Sequence, residues 1–390
     1  MSVPRRLPIG TQIFEQLRND GDRYVDKTQY IDRLFRLGRV FFLSRPHRFG
    51  KSLFLSTLRA YFEGKKELFD GLYIAQHEEE IAARQKREPW EALPVLYFDF
   101  NAKDYIDCNT LRNRIGEQLR DFERLYEIER EAEDPEDRFI HLIKTIYRER
   151  NKQVVILVDE YDKPLLETVN DEPLNAANRS LLKAFYEVIK QCDGYIRFAF
   201  LTGITKFSKT TLFSGVNNLK DITLLDDYAA ICGFTEEELT LYFTPEIEKL
   251  AEAEKSSVAK VRETLKKKYD GYCFCRKGTT VYNPFSLLNV LADSTYNYYW
   301  FENATPSYLV NYLKRTRVFI PELDNDVKIG AQVVQDFRYS DKDSVIPLLF
   351  QSGYLTIKKT IAKATIFQLG YPNEEVRFGF LHELLPLYSS

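Results

Sequence analysis

The sequence predicts an α/β fold: a parallel sheet with helices on both faces, followed by a helical lid and a winged-helix-like module. Three observations predict it. Four short apolar runs, Val40–Ser44, Val95–Phe100, Val154–Val158 and Tyr195–Leu201, alternate with helical patterns in the first half. Such alternation is the layout of a covered parallel sheet. After about residue 230 charged helical patterns and an aromatic stretch replace it, and two further β-type runs lie near the end. The resulting division is a core over 1–230, a lid over 231–305 and a terminal module over 306–390.

Taken in order, helices are expected over Lys51–Phe62, much of Thr110–Glu131, Glu136–Arg150 and Ala177–Gln191. The first of them places Leu53, Phe54, Leu58, Tyr61 and Phe62 on one face. Thr235, followed by Glu238 three residues later, reads as a capped helix start. A charged helix over Ser256–Lys268 leads into the aromatic segment Tyr269–Phe301, inside which Asp270-Gly271 and Asn283-Pro284 read as turns. A helix from about Pro306 precedes a hairpin of Tyr354–Lys358 and Thr365–Leu369.

Composition bounds the function classes. Hydrophobic residues make up 44% and charged residues 29%, as in an ordinary globular protein. The 55 basic and 58 acidic residues leave a net charge of -3, which argues against a generally basic nucleic-acid-binding body while allowing a local patch. No stretch is apolar enough to span a bilayer, so a cytoplasmic location and no membrane partner are expected. Cys108, Cys192, Cys232, Cys273 and Cys275 have no framework spacing, and the four histidines are scattered, so reduced thiols are expected in place of a structural metal site.

The most informative stretch is Val40-Phe41-Phe42-Leu43-Ser44-Arg45-Pro46-His47-Arg48-Phe49-Gly50-Lys51-Ser52-Leu53. A strand, a loop and Gly-Lys-Ser opening an amphipathic helix form the context of a phosphate-binding loop. Backbone N–H groups and the helix dipole at such a start suit an anion. Lys51 would place a positive charge at the terminal phosphates of ATP, and the Ser52 hydroxyl would ligate Mg²⁺. The loop departs from Gly-x₄-Gly-Lys-[Ser/Thr] at its first position, where Arg45 stands, and Pro46 biases Arg45 toward an extended backbone. Arg45 and Arg48 are expected to add positive charge nearby. The plain alternative is a helix entrance with no ligand.

A second motif supports the first. In Val154-Val155-Ile156-Leu157-Val158-Asp159-Glu160 five aliphatics imply a strand buried on both faces. The two carboxylates at its carboxyl end project where ligands bind in open α/β sheets. Asp159 is expected to hold Mg²⁺, and Glu160 to orient the attacking water or accept its proton. With one strand between the two motifs, this is the pattern of a phosphate-loop NTPase with an inserted catalytic strand. Thr202, in Leu201-Thr202-Gly203, is the candidate for sensing the γ-phosphate, with Lys206 as an extra charge; a Thr-Gly turn closing the strand is the equal alternative.

Several motifs together resemble the bacterial predicted AAA-ATPase-like family. They are Leu7-Pro8-Ile9-Gly10, Tyr24-Val25-Asp26-Lys27-Thr28, the loop from Ser44 to Ser52, Val158-Asp159-Glu160-Tyr161-Asp162 and Leu201-Thr202-Gly203. Later ones are Tyr269-Asp270-Gly271-Tyr272, Tyr282-Asn283-Pro284-Phe285-Ser286, Gly353-Tyr354-Leu355-Thr356 and Tyr371-Pro372-Asn373-Glu374-Glu375-Val376. The resemblance implies that an arginine at the first loop position is family style, whereas His47 stands where the family usually has arginine. It implies ATP in preference to GTP, and a segment Tyr24–Thr28 that borders the adenine. The residues alone favour Asp26 or Thr28 as a helix cap, and the two roles can coexist. Members often continue into a PD-(D/E)XK nuclease-superfamily domain, which is not expected here; Glu63-Gly64-Lys65 matches its letters at a helix end.

The function expected is MgATP hydrolysis coupled to rearrangement between core, lid and terminal module. The alternative is a nucleotide-gated switch or scaffold with negligible turnover, with a protein partner or self-association. Nucleic-acid contact through Lys266-Lys267-Lys268 or Lys358-Lys359 is a further possibility that the net charge does not support. Arg197, Arg315 and Arg317 are undistinguished candidates for an arginine finger.

Overall fold

The computed structural model describes residues 5–101, 104–206, 212–213, 215–216, 218–300, 309, 313, 323, 327–335, 345–361, 363 and 365–384. Among these, the elements in chain order begin with α1 (Phe14–Asn19), α2 (Gln29–Leu37), β1 (Val40–Ser44), α3 (Lys51–Phe62), α4 (Tyr73–Gln85) and β2 (Val95–Asp99). There follow α5 (Cys108–Tyr126), α6 (Pro135–Arg150), β3 (Val154–Asp159), α7 (Lys163–Glu167), α8 (Glu172–Gln191), β4 (Ile196–Gly203) and β5 (Lys220–Asp221). The rest are α9 (Glu236–Ala253), α10 (Val258–Tyr269), β6 (Tyr272–Cys273), β7 (Thr280–Val281), α11 (Pro284–Asp293), β8 (Val327–Gly330), α12 (Val345–Gln351), β9 (Thr356–Ile361), β10 (Ile366–Gly370) and α13 (Glu374–Leu384).

The chain divides into two compact units that do not follow chain order. One comprises Thr28–Leu43 and Leu55–Ile222; the other comprises Met1–Lys27, Ser44–Phe54 and Thr223–Ser390.

The first unit carries the α/β sheet that the sequence predicts. Its five strands form a parallel sheet in the order β2-β3-β4-β1-β5. The register explains the layers. Tyr97 pairs with Leu157 and Leu157 with Phe200, so these three side chains share one face, and Phe98 points to the other. On the Phe98 side, its ring meets Phe122 of α5, Phe139 of α6 and Phe185 of α8 at 5.0–5.1 Å. On the opposite side, Phe198 of β4 meets Phe35 of α2, Phe62 of α3 and Phe41 of β1. Burial of large aromatics on both faces stabilises the sheet by about 1.5–3 kcal/mol per ring. Every residue of β3 is buried, as its unbroken aliphatic run requires. The fifth strand, β5, has two residues and no apolar run to signal it.

The second unit holds a helical cluster and a small mixed module. Leu239, Phe243, Ile247 and Leu250 of α9 pack with Val261 and Leu265 of α10 and Leu287 and Leu291 of α11. Thr235 and Glu238 form the expected reciprocal capping box at the start of α9. Glu238 also pairs with the buried Lys27 at 2.5 Å, which fastens the amino-terminal segment to this helix. Asn283-Pro284 is not a turn but the start of α11: Asn283 accepts from the Ser286 N–H, and Pro284 occupies the first helical position, where no N–H is needed. Strands β9 and β10 form the expected antiparallel hairpin, extended by β8 to a three-stranded sheet in the order β8-β10-β9. The expected helix from about Pro306, and Arg315 and Arg317, lie outside the described residues.

Thr28 does not cap α2 with its side chain. Its hydroxyl accepts from the Ile74 N–H at 3.1 Å instead, tying α2 to the start of α4.

Candidate functional site

The loop after β1 is folded by an arginine strut. Arg45 is fully buried, and its guanidinium donates to the carbonyls of Ser44 at 2.9 Å, Thr223 at 2.8 Å and Tyr228 at 3.0 Å. It also lies 4.3 Å over the Phe274 ring. The positive charge expected from Arg45 is therefore directed at carbonyls, and any nucleotide contact from this residue falls to its backbone. The strut does what the usual glycine turn does elsewhere, fixing how the chain leaves β1.

Beyond it, each loop residue has a distinct setting. Pro46 packs so closely that a Cβ on Gly353 would lie 2.8 Å from its ring. The His47 carbonyl accepts from the Trp300 indole N–H at 3.4 Å. Arg48 is exposed, has a left-handed backbone with φ 64°, and stacks 3.9 Å over Phe285. The buried Phe49 sits edge-on to Tyr272 and Phe274, with ring centroids 4.7 and 5.5 Å away. Gly50 has φ 93°, a conformation that favours glycine directly ahead of the helix.

Helix α3 begins at Lys51. Lys51 is buried, with its ammonium 3.0 Å from the Arg45 carbonyl and 3.2 Å from that of Pro46. The cation thus curls back under its own loop. Ser52 and Leu53 are half-buried in the first turn. Of the nine non-glycine residues described with positive φ, four are ordinary helix C-caps; Arg48 and Glu160 are not, and each lies in one of the two motifs.

The acidic strand end belongs to the first unit. Asp159, the last residue of β3, is held on both carboxylate oxygens. Its Oδ1 accepts from the Thr202 hydroxyl at 2.8 Å and from the Glu160 N–H at 3.1 Å, and its Oδ2 accepts from the Tyr97 hydroxyl at 3.3 Å. Burial, and then the neighbouring Asp159 charge, push the Tyr97 hydroxyl well above its usual range, which keeps it a donor. Thr202 thus aims its hydroxyl at the metal candidate. Glu160 follows with φ 50°, a costly conformation for a glutamate, and is buried.

Two residues missed by sequence reasoning complete this end. Tyr97 is one; its position opposite the acidic strand end needs the β2–β3 register. Asp162 is the other. It is fully buried and accepts from the N–H groups of Ile204 and Thr205 and from the Thr205 hydroxyl, pinning the chain where it leaves β4. Its signal was in view, as the last letter of Asp159-Glu160-Tyr161-Asp162. Gly203 is required beside it, since a Cβ there would meet the Tyr161 ring at 2.5 Å. Lys206 pairs with Asp221 at 2.5 Å, so its charge is largely matched within the unit. Arg197 donates to Gln85 near the opposite end of β4, five residues or roughly 16 Å of strand from Thr202.

These donors fit a magnesium–nucleotide complex better than a resident metal. Among the described residues no group of three or more His, Cys, Asp or Glu is placed to hold an ion. Magnesium held by one carboxylate, one hydroxyl, phosphate oxygens and water needs no such cage. No described helix is long and apolar enough to cross a membrane.

Residues 8–213 match a family model described as Predicted AAA-ATPase. An uncharacterized protein in the vnfD 5′ region of Azotobacter chroococcum mcd 1 is 38% identical over 388 residues, covering 98% of this chain and 70% of that protein. Two solved structures align over most of the chain: the Aeropyrum pernix ORC2 protein in ADPNP–ADP complexes and Cdc6p from Pyrobaculum aerophilum. The first is 13% identical, with a TM-score of 0.31, covering 100% of this chain and 97% of that one. The second is 12% identical, with a TM-score of 0.31, covering 98% and 96%. At that score the likeness is loose, and no residue is carried over from either.

Proposed function

We propose, from the premise that this chain belongs to the predicted AAA-ATPase family, that it binds MgATP through the Arg45–Leu53 loop and hydrolyses it with the carboxylates that end β3. The observation that carries the reading is the fixed Asp159 carboxylate, oriented from two sides by Thr202 and Tyr97. A surface aspartate would need no such bracketing.

In this reading the backbone N–H groups at the start of α3 and the Lys51 ammonium receive the phosphates, with Lys51 exchanging its two carbonyl partners for phosphate oxygens. Ser52 and Asp159 would hold the magnesium, which would supply positive charge to the phosphates. Glu160 orients the attacking water and accepts its proton. Support for bringing these residues to one nucleotide is topological: β1, β3 and β4 belong to one parallel sheet and end at Ser44, Asp159 and Gly203. Ligands in such sheets sit beyond the carboxyl ends of the strands. Thr202 acts through Asp159, so a nucleotide-sensing role for it operates by way of the metal ligand.

Hydrolysis would be coupled to rearrangement among the core over 1–230, the lid over 231–305 and the winged-helix-like module over 306–390. Phosphate release from ATP and GTP, measured beside calorimetric binding, tests the reading. Glu160→Gln is expected to bind MgATP as the wild type does and to lose turnover. Tight ATP binding with negligible phosphate release by the wild type would favour the switch over the enzyme.

A further inference from the structure

The phosphate loop lies in the same compact unit as the carboxyl-terminal elements, and one residue, Trp300, touches both the loop and a residue of α13. Trp300 is fully buried. On one side its indole N–H reaches the His47 carbonyl at 3.4 Å. On the other its backbone N–H donates to the Glu375 carboxylate at 2.9 Å. Glu375, at the start of α13, is fully buried and also accepts from the Ser286 hydroxyl at 3.0 and 2.8 Å. A second route runs through rings: Trp300 to Tyr354 at 5.2 Å, and Tyr354 to Phe380 of α13 at 5.4 Å. Gly353, beside Tyr354, has no side chain because a Cβ would press on Pro46 at 2.8 Å and approach the Trp300 ring at 3.6 Å.

We propose that Trp300 is a positioning residue for the phosphate loop, and that through Glu375 and Tyr354 it links nucleotide binding to the placement of α13. The inference rests on the reading that the loop takes nucleotide phosphates. Its physical basis is the close packing of buried groups. A loop gripped at Pro46 and His47 cannot re-aim its N–H groups toward phosphates without moving the indole; Trp300 is tied to α13 by the charge-assisted hydrogen bond of its backbone N–H to Glu375 and by tilted ring contacts through Tyr354. The residues that grip the loop, Phe285, Trp300 and Gly353, lie far along the chain from it, and Glu375 reaches it only through Trp300.

The chain has two tryptophans, so Trp90→Phe leaves Trp300 as the only indole fluorophore. In that background, MgATP is expected to change the Trp300 emission along the same saturation curve that calorimetry records. Trp300→Phe keeps a ring and removes the N–H donor. It is expected to weaken MgATP binding about three- to tenfold, the worth of one hydrogen bond, with a smaller change in kcat than in KM. Glu375→Gln is expected to shift Trp300 emission before any nucleotide is added. Saturable binding with unchanged Trp300 emission, together with wild-type affinity in Trp300→Phe, overturns the linkage alone. A wild-type protein that takes up no nucleotide in calorimetry overturns the phosphate-loop premise and the linkage with it.

Discussion

Replacing Arg45 by glycine would restore the first position of the standard phosphate-loop pattern, and the structure predicts that this apparent repair damages the protein. The guanidinium makes three hydrogen bonds to carbonyls in a fully buried setting and covers the Phe274 ring. Hydrogen bonds to a charged group are worth about 1.5–3 kcal/mol each, and a desolvated cation–π contact about 2 kcal/mol. Against these stands the desolvation of the guanidinium, several kcal/mol that the glycine variant recovers. Removing the guanidinium leaves three buried carbonyls without their donor, at about 1–3 kcal/mol each, so about 3–5 kcal/mol net remains once water reaches the vacated space. Glycine adds about 1 kcal/mol through the freedom of the unfolded chain. With a urea dependence near 3 kcal/mol per molar for a chain of this size, the unfolding midpoint falls by roughly 1–2 M. Urea denaturation followed by tryptophan fluorescence measures it, with MgATP titration of the folded variant beside it. An unchanged midpoint with tighter nucleotide binding would refute the strut and make Arg45 a mere defect of the loop.

Other outcomes follow from the same geometry. Thr202→Val removes the donor to Asp159 Oδ1 while keeping the shape. It should cost about 1–3 kcal/mol of stability and raise the magnesium concentration needed for half-maximal phosphate release; an unchanged magnesium dependence would leave Thr202 as a strand-end turn. Burial raises the pKa of Asp270, so its contribution to stability is full below the ordinary carboxylate value and is lost as pH rises through the raised one. The melting temperature of Asp270→Asn relative to wild type should therefore increase as pH rises above the ordinary carboxylate value, and a difference constant with pH would contradict the buried charge.

Much of the core was legible because its signals are local. The strands β1 and β3 are continuous apolar runs, and α3 and α9 announce themselves by periodicity and by the Thr235–Glu238 cap. What escaped was non-local or ambiguous. Strand β5 has two residues, one of them exposed, and exists only because it pairs with β1. Asn283-Pro284 carries the same letters for a turn and for a helix start, and only the following apolar helix decides between them. Thr28 had the chemistry of a cap, but the Ile74 N–H competed for its hydroxyl. The candidate site divides in the same way. Its motifs point to Lys51, Ser52, Asp159 and Glu160 as candidates, whereas the contacts of Tyr97 and Asp162 depend on strand register and on the turn after the neighbouring strand. Arg45 looked like charge for a phosphate because nothing nearby in sequence reveals that the Thr223 and Tyr228 carbonyls receive it.

Calorimetric titration of MgATP into the wild type and Lys51→Ala bears most directly on whether this loop is a phosphate site. The buried Lys51 ammonium, now resting on the Arg45 and Pro46 carbonyls, is expected to turn to the phosphates. Loss of a charge-assisted contact worth about 1.5–3 kcal/mol should weaken binding by roughly one to two orders of magnitude. Equal affinities in the two proteins, or no heat from either, would contradict the account.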